Sequence, residues 1–142
     1  MRTFHKSIDI AAPPQRVWKV MIDVERWPEW TKSMKSVRRL DGGAFGIGSR
    51  AHVTQPKLLP TVWTVTRFDP GRSFTWSAAS VGFRVSGAHS VEPNGTGSRA
   101  SLSIQFDGLL GGIIGRLLRK LNVEYLDMEA AGLKQRSEQV LT

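Results

Sequence analysis

The sequence predicts a single α+β domain in which helices pack on one face of an antiparallel sheet. Apolar and polar residues alternate from about Val37 to Phe106, and this period of two is typical of half-buried strands. After Gly108 the apolar residues recur every three or four positions, which is the period of an amphipathic helix. Because a length of 142 residues suits one domain of ordinary size, we expect residues 1–142 to form a single domain.

A strand and two short helices are predicted before the sheet region. Residues 4–10 alternate between apolar and polar side chains, which indicates a half-buried strand, and an Ala-Ala-Pro-Pro run ends it. Pro14 suits the first turn of a helix, because the N–H that proline lacks has no helical partner there. The apolar stripe of this helix comprises Val17, Trp18, Met21 and Ile22. Asp23 is suited to cap a second short helical piece, which ends near Trp27-Pro28.

About six strands joined by hairpins are predicted in the alternating region. Asp69-Pro70-Gly71-Arg72 has proline and glycine where a tight turn needs them, and Asn94-Gly95 is typical of a two-residue hairpin. Between the turns, each strand has one apolar face and one polar face. The apolar face comprises Trp63, Val65, Phe74, Trp76, Ala78, Phe83, Val85, His89, Val91, Leu102, Ile104 and Phe106.

One long helix is predicted after Gly108. Its apolar stripe comprises Ile114, Leu118, Leu121, Tyr125, Met128 and Gly132. Only the sheet offers an apolar face large enough to cover this stripe. Three glycines, Gly111, Gly112 and Gly115, weaken the first turns, because each costs roughly 1 kcal/mol relative to alanine inside a helix.

The composition excludes several classes of protein. The chain has no cysteine, which excludes a disulfide framework, a thiolate metal site and a cysteine nucleophile. A net charge of +8 favours solubility and the long-range attraction of anions, and by itself it identifies no partner. The basic cluster from Lys32 to Arg39 is interleaved with apolar residues as on a solvated face, so we expect no nucleic-acid partner. The N-terminus has no apolar signal segment and the chain no transmembrane segment, which favours a cytoplasmic protein.

The sequence also favours a protein without cofactor or metal. The segment from Gly46 to Ala51 fits the loose dinucleotide-binding pattern, but a strand pattern follows it where that motif needs a helix. The three histidines, His5, His52 and His89, lie on separate segments, which gives a metal site little support.

Several short motifs along the chain form a recognisable set. They are Ser7-Ile-Asp-Ile-Ala-Ala-Pro-Pro with Val17-Trp18, the run from Asp23 to Trp30, Trp63-Thr64-Val65, and Gly97-Ser98-Arg99. With these motifs and its closing amphipathic helix, the chain resembles the START-like (helix-grip, SRPBCC) superfamily, and within it the polyketide cyclase/dehydrase and lipid transport family. The resemblance covers about residues 3–138. It implies a curved antiparallel sheet of six to seven strands wrapped around the C-terminal helix, with a cavity between them.

The residues expected to line this cavity lie on the apolar faces of the strands and of the long helix. Trp63, Trp76, Tyr125 and Met128 are predicted wall residues, and His89 is the predicted polar anchor. His89 either bonds a ligand or is a core histidine satisfied by a backbone carbonyl or by water. Trp18 and Trp27 are assigned to the core. Glu129, one turn beyond Tyr125, either pairs there or faces water. Leu58 and Leu59, bracketed by prolines, are predicted to form a lid over the cavity.

Two functions remain open at this stage. The first is a monomer or weak homodimer that binds a small hydrophobic ligand, lipid-like or polyketide-like, between sheet and helix. The alternative is an enzyme, a polyketide cyclase/aromatase or dehydratase, in which His89 and Tyr125 move protons. The motifs of the resemblance encode packing and turns, so they do not decide between the two.

Overall fold

A seven-stranded antiparallel sheet forms the frame of the protein, as a computed structural model shows for residues 2–139. The strands are β1 (Arg2–Ile10), β2 (Ser36–Arg39), β3 (Arg50–Thr54), β4 (Thr61–Asp69), β5 (Ser73–Ser80), β6 (Phe83–Asn94) and β7 (Gly97–Asp107). Their spatial order is β1-β7-β6-β5-β4-β3-β2. The first strand therefore pairs with the last, and the five strands from β3 to β7 are joined by successive hairpins. The predicted α+β fold is confirmed.

The helices lie between and after the strands. They are α1 (Pro14–Ile22), a 3-10 helix (Val24–Glu29), α2 (Gly111–Leu117) and α3 (Arg119–Glu138). Pro14 takes the first position of α1, and Val17, Trp18 and Met21 are buried beneath it. The two short helices predicted after the first strand are thus confirmed. No helix within residues 2–139 is long and apolar enough to cross a membrane.

The prediction of one uninterrupted C-terminal helix is wrong at Leu118. There the backbone departs from helical geometry (φ −96°, ψ 12°) and separates α2 from α3. The glycines of α2 explain why the break is tolerated, since a glycine-rich turn gains little from continuing the helix.

The predicted phases of the central strands are confirmed. Phe74, Trp76 and Ala78 of β5 are buried, as are Val91 of β6 and Leu102 of β7. Burial of one face fixes the register of these strands, because a slip by one residue would turn every apolar side chain to solvent. The sheet thereby presents one continuous apolar face to α1, α3 and the 3-10 helix.

Candidate functional site

A cavity of about 670 Å³ lies between the sheet and α3. This volume is in the range of sites that hold small organic molecules. Apolar side chains dominate its lining, and polar groups occur at a few places. The lining includes Trp27, Leu58, Leu59, Trp63, Trp76, Ala78, Val85, Gly87, His89, Leu118, Asn122, Tyr125 and Glu129.

Strand β6 forms the middle of the cavity floor through His89, Gly87 and Val85. Cross-strand neighbours complete three rows: Phe74 and Leu102 beside His89, Trp76 and Ile104 beside Gly87, and Ala78 and Phe106 beside Val85. At Gly87 the indole ring of Trp76 lies in ordinary contact distance, 3.4 Å from where a Cβ would be. The floor therefore runs from His89 to Val85 near the β5–β6 hairpin, with aromatic side chains beside it in all three rows.

His89 is buried at one end of this floor. Its ring stacks on Phe74 at 4.4 Å between centroids, with planes 12° apart, and Trp27 lies 5.2 Å away. Burial lowers the pKa of His89 from 6.5 to about 4, against a smaller raising effect of the Phe74 backbone, so the imidazole is neutral at pH 7. Its Nδ1 is buried and has no hydrogen-bond partner among residues 2–139. The imidazole does interact with the backbone, since it is a hydrogen bond with Phe74 that raises the pKa.

Glu129 brings a carboxyl group to the cavity from α3. Ser33 donates to its Oε2 across 3.2 Å, and the Ser33 hydroxyl lies 2.8 Å from that of Thr31. In the part of the chain that the structure covers, Glu129 forms no salt bridge. Burial raises the pKa of Glu129 from 4.5 to about 7, and the Ser33 hydrogen bond only partly offsets this. The carboxyl group can therefore gain or lose a proton near neutral pH.

Asn122 and Tyr125 line the cavity from the same helix. Asn122 is buried, and its Nδ2 has no hydrogen-bond partner within the described residues. The Tyr125 hydroxyl donates to the Pro56 carbonyl, which ties α3 to the loop before β4. Burial raises the pKa of Tyr125, with Glu124 and Glu129 adding to the effect, so this hydroxyl keeps its proton at neutral pH and holds the loop.

The predicted wall and lid residues lie at the cavity, with one exception. Trp63 and Trp76 line it with ring centroids 5.8 Å apart, and Leu58 and Leu59 line it from the loop before β4. Met128 is the exception: its side chain is 40% exposed and lies outside the lining. Because the buried face of α3 runs through residues 122, 126, 129 and 133, Met128 lies about 120° from its centre, at 100° per residue.

Sequence reasoning missed Asn122 and the partner of Glu129, and it assigned Trp27 to the core alone. Asn122, Leu126 and Glu129 follow i, i+4, i+7 spacing, which places them on one helix face. This spacing could have identified the buried face of the helix. Because Asn122 and Glu129 are polar, the face does not stand out as an apolar stripe. Trp27 is buried as expected and also lines the cavity.

Comparison with known proteins identifies the family of this chain. A family model described as "Polyketide cyclase / dehydrase and lipid transport" matches residues 1–138. The chain belongs to this family. Among curated proteins none matches, so family membership defines the fold and leaves the ligand and any reaction undefined.

Solved structures of the same fold come from distant organisms. A Thermus thermophilus protein is 22% identical with a TM-score of 0.76, covering 96% of this chain and 97% of its own. A START superfamily protein from Mycobacterium smegmatis is 19% identical with a TM-score of 0.76, covering 98% and 99%. The major latex-like protein 151 of Panax ginseng is 10% identical with a TM-score of 0.78, covering 97% and 98%. Identities this low show a shared fold and no more.

Proposed function

We propose that this protein binds a small, mainly apolar molecule bearing a carbonyl group in the cavity between the sheet and α3. One observation carries the proposal: His89 and Asn122 line the cavity, and His89 Nδ1 and Asn122 Nδ2 have no hydrogen-bond partner among the described residues. A buried polar group without a partner costs about 1–3 kcal/mol, so a ligand that bonds either group recovers part of that cost. The Asn122 amide nitrogen is a donor, and His89 Nδ1 is a donor in the neutral tautomer that carries its proton on that atom, so a carbonyl oxygen suits both.

The remaining lining gives each part of such a ligand a surface. Trp63 and Trp76 offer flat aromatic walls for an extended chain or ring system. The Tyr125 ring completes the wall on the helix side while its hydroxyl holds the loop. Leu58 and Leu59 form the proposed lid, and Leu59 is exposed. Lipids and polyketides, the two substrate classes in the family description, both combine apolar chains with carbonyl groups.

Filling the cavity tests whether it is the binding site. Titration with 2-acetylnaphthalene, an apolar probe with one carbonyl, is expected to show saturable binding of one molecule per chain. Val85→Trp places a large ring in the middle of the cavity floor and should weaken binding at least tenfold. Ile47→Trp, at an exposed residue outside the lining, is the matched control and should leave binding unchanged. Equal binding by both variants, or none by the wild-type protein, would refute the proposal.

A matched pair of probes tests the polar anchor in the same titration. 2-Ethylnaphthalene has nearly the same shape as 2-acetylnaphthalene but lacks the oxygen. We expect the ketone to bind about tenfold more tightly, since one hydrogen bond to a buried donor contributes roughly 1.5 kcal/mol. His89→Leu combined with Asn122→Leu should remove that preference while the cavity remains. If the double variant discriminates as well as the wild-type protein, the anchor lies elsewhere.

Proton-transfer catalysis is the second candidate, and the environment of Glu129 favours it. A buried carboxyl group with a pKa of about 7 suits a general base or acid at neutral pH. It could remove a proton from the carbon beside a bound carbonyl, the first step of an aldol cyclisation or dehydration. Glu129→Gln should then lower turnover of a synthetic poly-β-ketone thioester by about 100-fold or more without weakening 2-acetylnaphthalene binding. Unchanged turnover, or none in the wild-type protein, would leave the binding function alone.

A further inference from the structure

Exposed apolar side chains concentrate at one end of the cavity. Ten large apolar side chains are exposed within residues 2–139. Seven of them lie on the loop before β4 and the start of that strand, on the β5–β6 hairpin, and on α2 with the residues before it: Leu59, Val62, Val81, Leu109, Leu110, Ile113 and Leu117. Leu109, Val81 and Leu59 are 96%, 91% and 86% exposed. Such a concentration on one face of a domain marks an interaction surface.

These three segments form one continuous surface around the mouth of the cavity. The Leu110 N–H donates to the Gly82 carbonyl across 2.8 Å, which holds the start of α2 against the β5–β6 hairpin. Leu59, Val62, Phe83 and Leu118 line the same cavity, so the loop faces the hairpin and the α2–α3 junction across its opening. Leu109, Ile113 and Leu117 follow at intervals of four residues and point outward together. We call residues 57–62, 80–84 and 109–120 the mouth surface.

The charges on the mouth surface are all of one sign. It contains five basic residues and no acidic one. The basic residues are Lys57, Arg84, Arg116, Arg119 and Lys120, and all five are exposed. An apolar patch rimmed by basic side chains matches an anionic membrane, whose headgroups attract the cations while its acyl region accepts the leucines.

We propose that the mouth surface docks the protein onto an anionic lipid bilayer, with the cavity opening toward the membrane. A second copy of the chain fits this surface less well, because an isologous contact would bring five basic residues against five. The inference goes beyond the proposed function, since docking does not require an occupied cavity. Taken together with that function, it gives the ligand a route between bilayer and cavity.

Vesicle flotation tests the docking. The protein should float with vesicles of phosphatidylcholine containing about one-third phosphatidylglycerol, and at least tenfold less with phosphatidylcholine alone. Raising the salt concentration should weaken the binding. Leu117→Ser, at a side chain 74% exposed, is expected to lower the partition coefficient about tenfold. Arg116→Gln with Arg119→Gln should lower it by a similar or larger factor.

Matched controls separate docking from general attraction of a basic protein to anionic lipid. Ile47→Ser changes a side chain 71% exposed on a different loop, and Arg67→Gln with Arg72→Gln removes two exposed charges outside the mouth surface. Both controls should float like the wild-type protein. No flotation on anionic vesicles, equal losses in controls and test variants, or a dimer that Leu117→Ser dissociates would each overturn the inference. Leu117→Ser should still bind 2-acetylnaphthalene, so a failure of docking is distinguishable from a failure of the cavity.

Discussion

Replacing Gly132 by alanine is expected to lower the free energy of unfolding by about 3 kcal/mol. Glycine to alanine inside a helix ordinarily stabilises it, by about 1 kcal/mol. Gly132 is an exception, because a Cβ there would lie 2.0 Å from the Trp30 backbone oxygen and 2.9 Å from its ring. A backbone carbonyl cannot rotate away as a side chain can. Either α3 or the segment that follows the 3-10 helix must move.

Gly112→Ala is the matched control for this prediction. The same substitution in α2 places a Cβ with no atom within 4 Å, and we expect it to stabilise the protein by about 0.5–1 kcal/mol. Urea unfolding followed by circular dichroism measures both variants. A Gly132→Ala protein as stable as the wild-type protein would mean that the contact between α3 and Trp30 is much looser than the structure shows. That contact also holds the chain leading to Ser33, so the same variant should disturb the partner of Glu129.

The sheet could be predicted from the sequence because its signals are local and repeated. Alternation along β5, β6 and β7 sets the face of each side chain. The two-residue turn between β6 and β7 is Gly95-Thr96, one residue after the predicted Asn94-Gly95, and it sets the register of that pair. One buried face makes any other register costly. His89 and Trp76 were therefore placed at the cavity by phase alone.

The helix side of the site could not be predicted as well. A stripe counted through both helices reaches the buried face of α3 at Tyr125 and Gly132 but fails at Met128, which is 40% exposed. Glu129 acquires its partner from Ser33, which lies in an irregular segment with no periodicity. A tertiary hydrogen bond of this kind leaves no pattern in a single sequence. The tertiary structure is needed to see that Glu129 lines the same cavity as His89 and Asn122, whose side chains each have a nitrogen without a partner among the described residues.

Glu129→Gln is expected to make the protein more stable than the wild type at neutral pH, and equally stable in acid. The folded state raises the pKa of Glu129 to about 7 from 4.5, so between these values the native protein holds more protons than the unfolded chain. The contribution of Glu129 to the free energy of unfolding therefore falls as the pH rises, by about 3 kcal/mol in total. Glutamine cannot ionise and keeps an acceptor for Ser33. Urea unfolding from pH 4.5 to 8 should show the difference growing over this window, and a difference that does not change with pH would contradict the prediction.

The titration of His89 changes the free energy of unfolding with pH in the opposite direction. Its pKa is lowered to about 4 from 6.5, so the unfolded chain holds more protons in that window and stability rises with pH. In the wild-type protein the two slopes oppose each other and largely cancel between about pH 4.5 and 6.5. Each variant should unmask the other group: Glu129→Gln should show stability rising to pH 6.5, and His89→Leu should show it falling up to about pH 7. If the free energy of unfolding of both variants depends on pH as that of the wild-type protein does, burial does not shift the pKa of either group. The part of the cavity around His89 and Glu129 must then be as well hydrated as the surface.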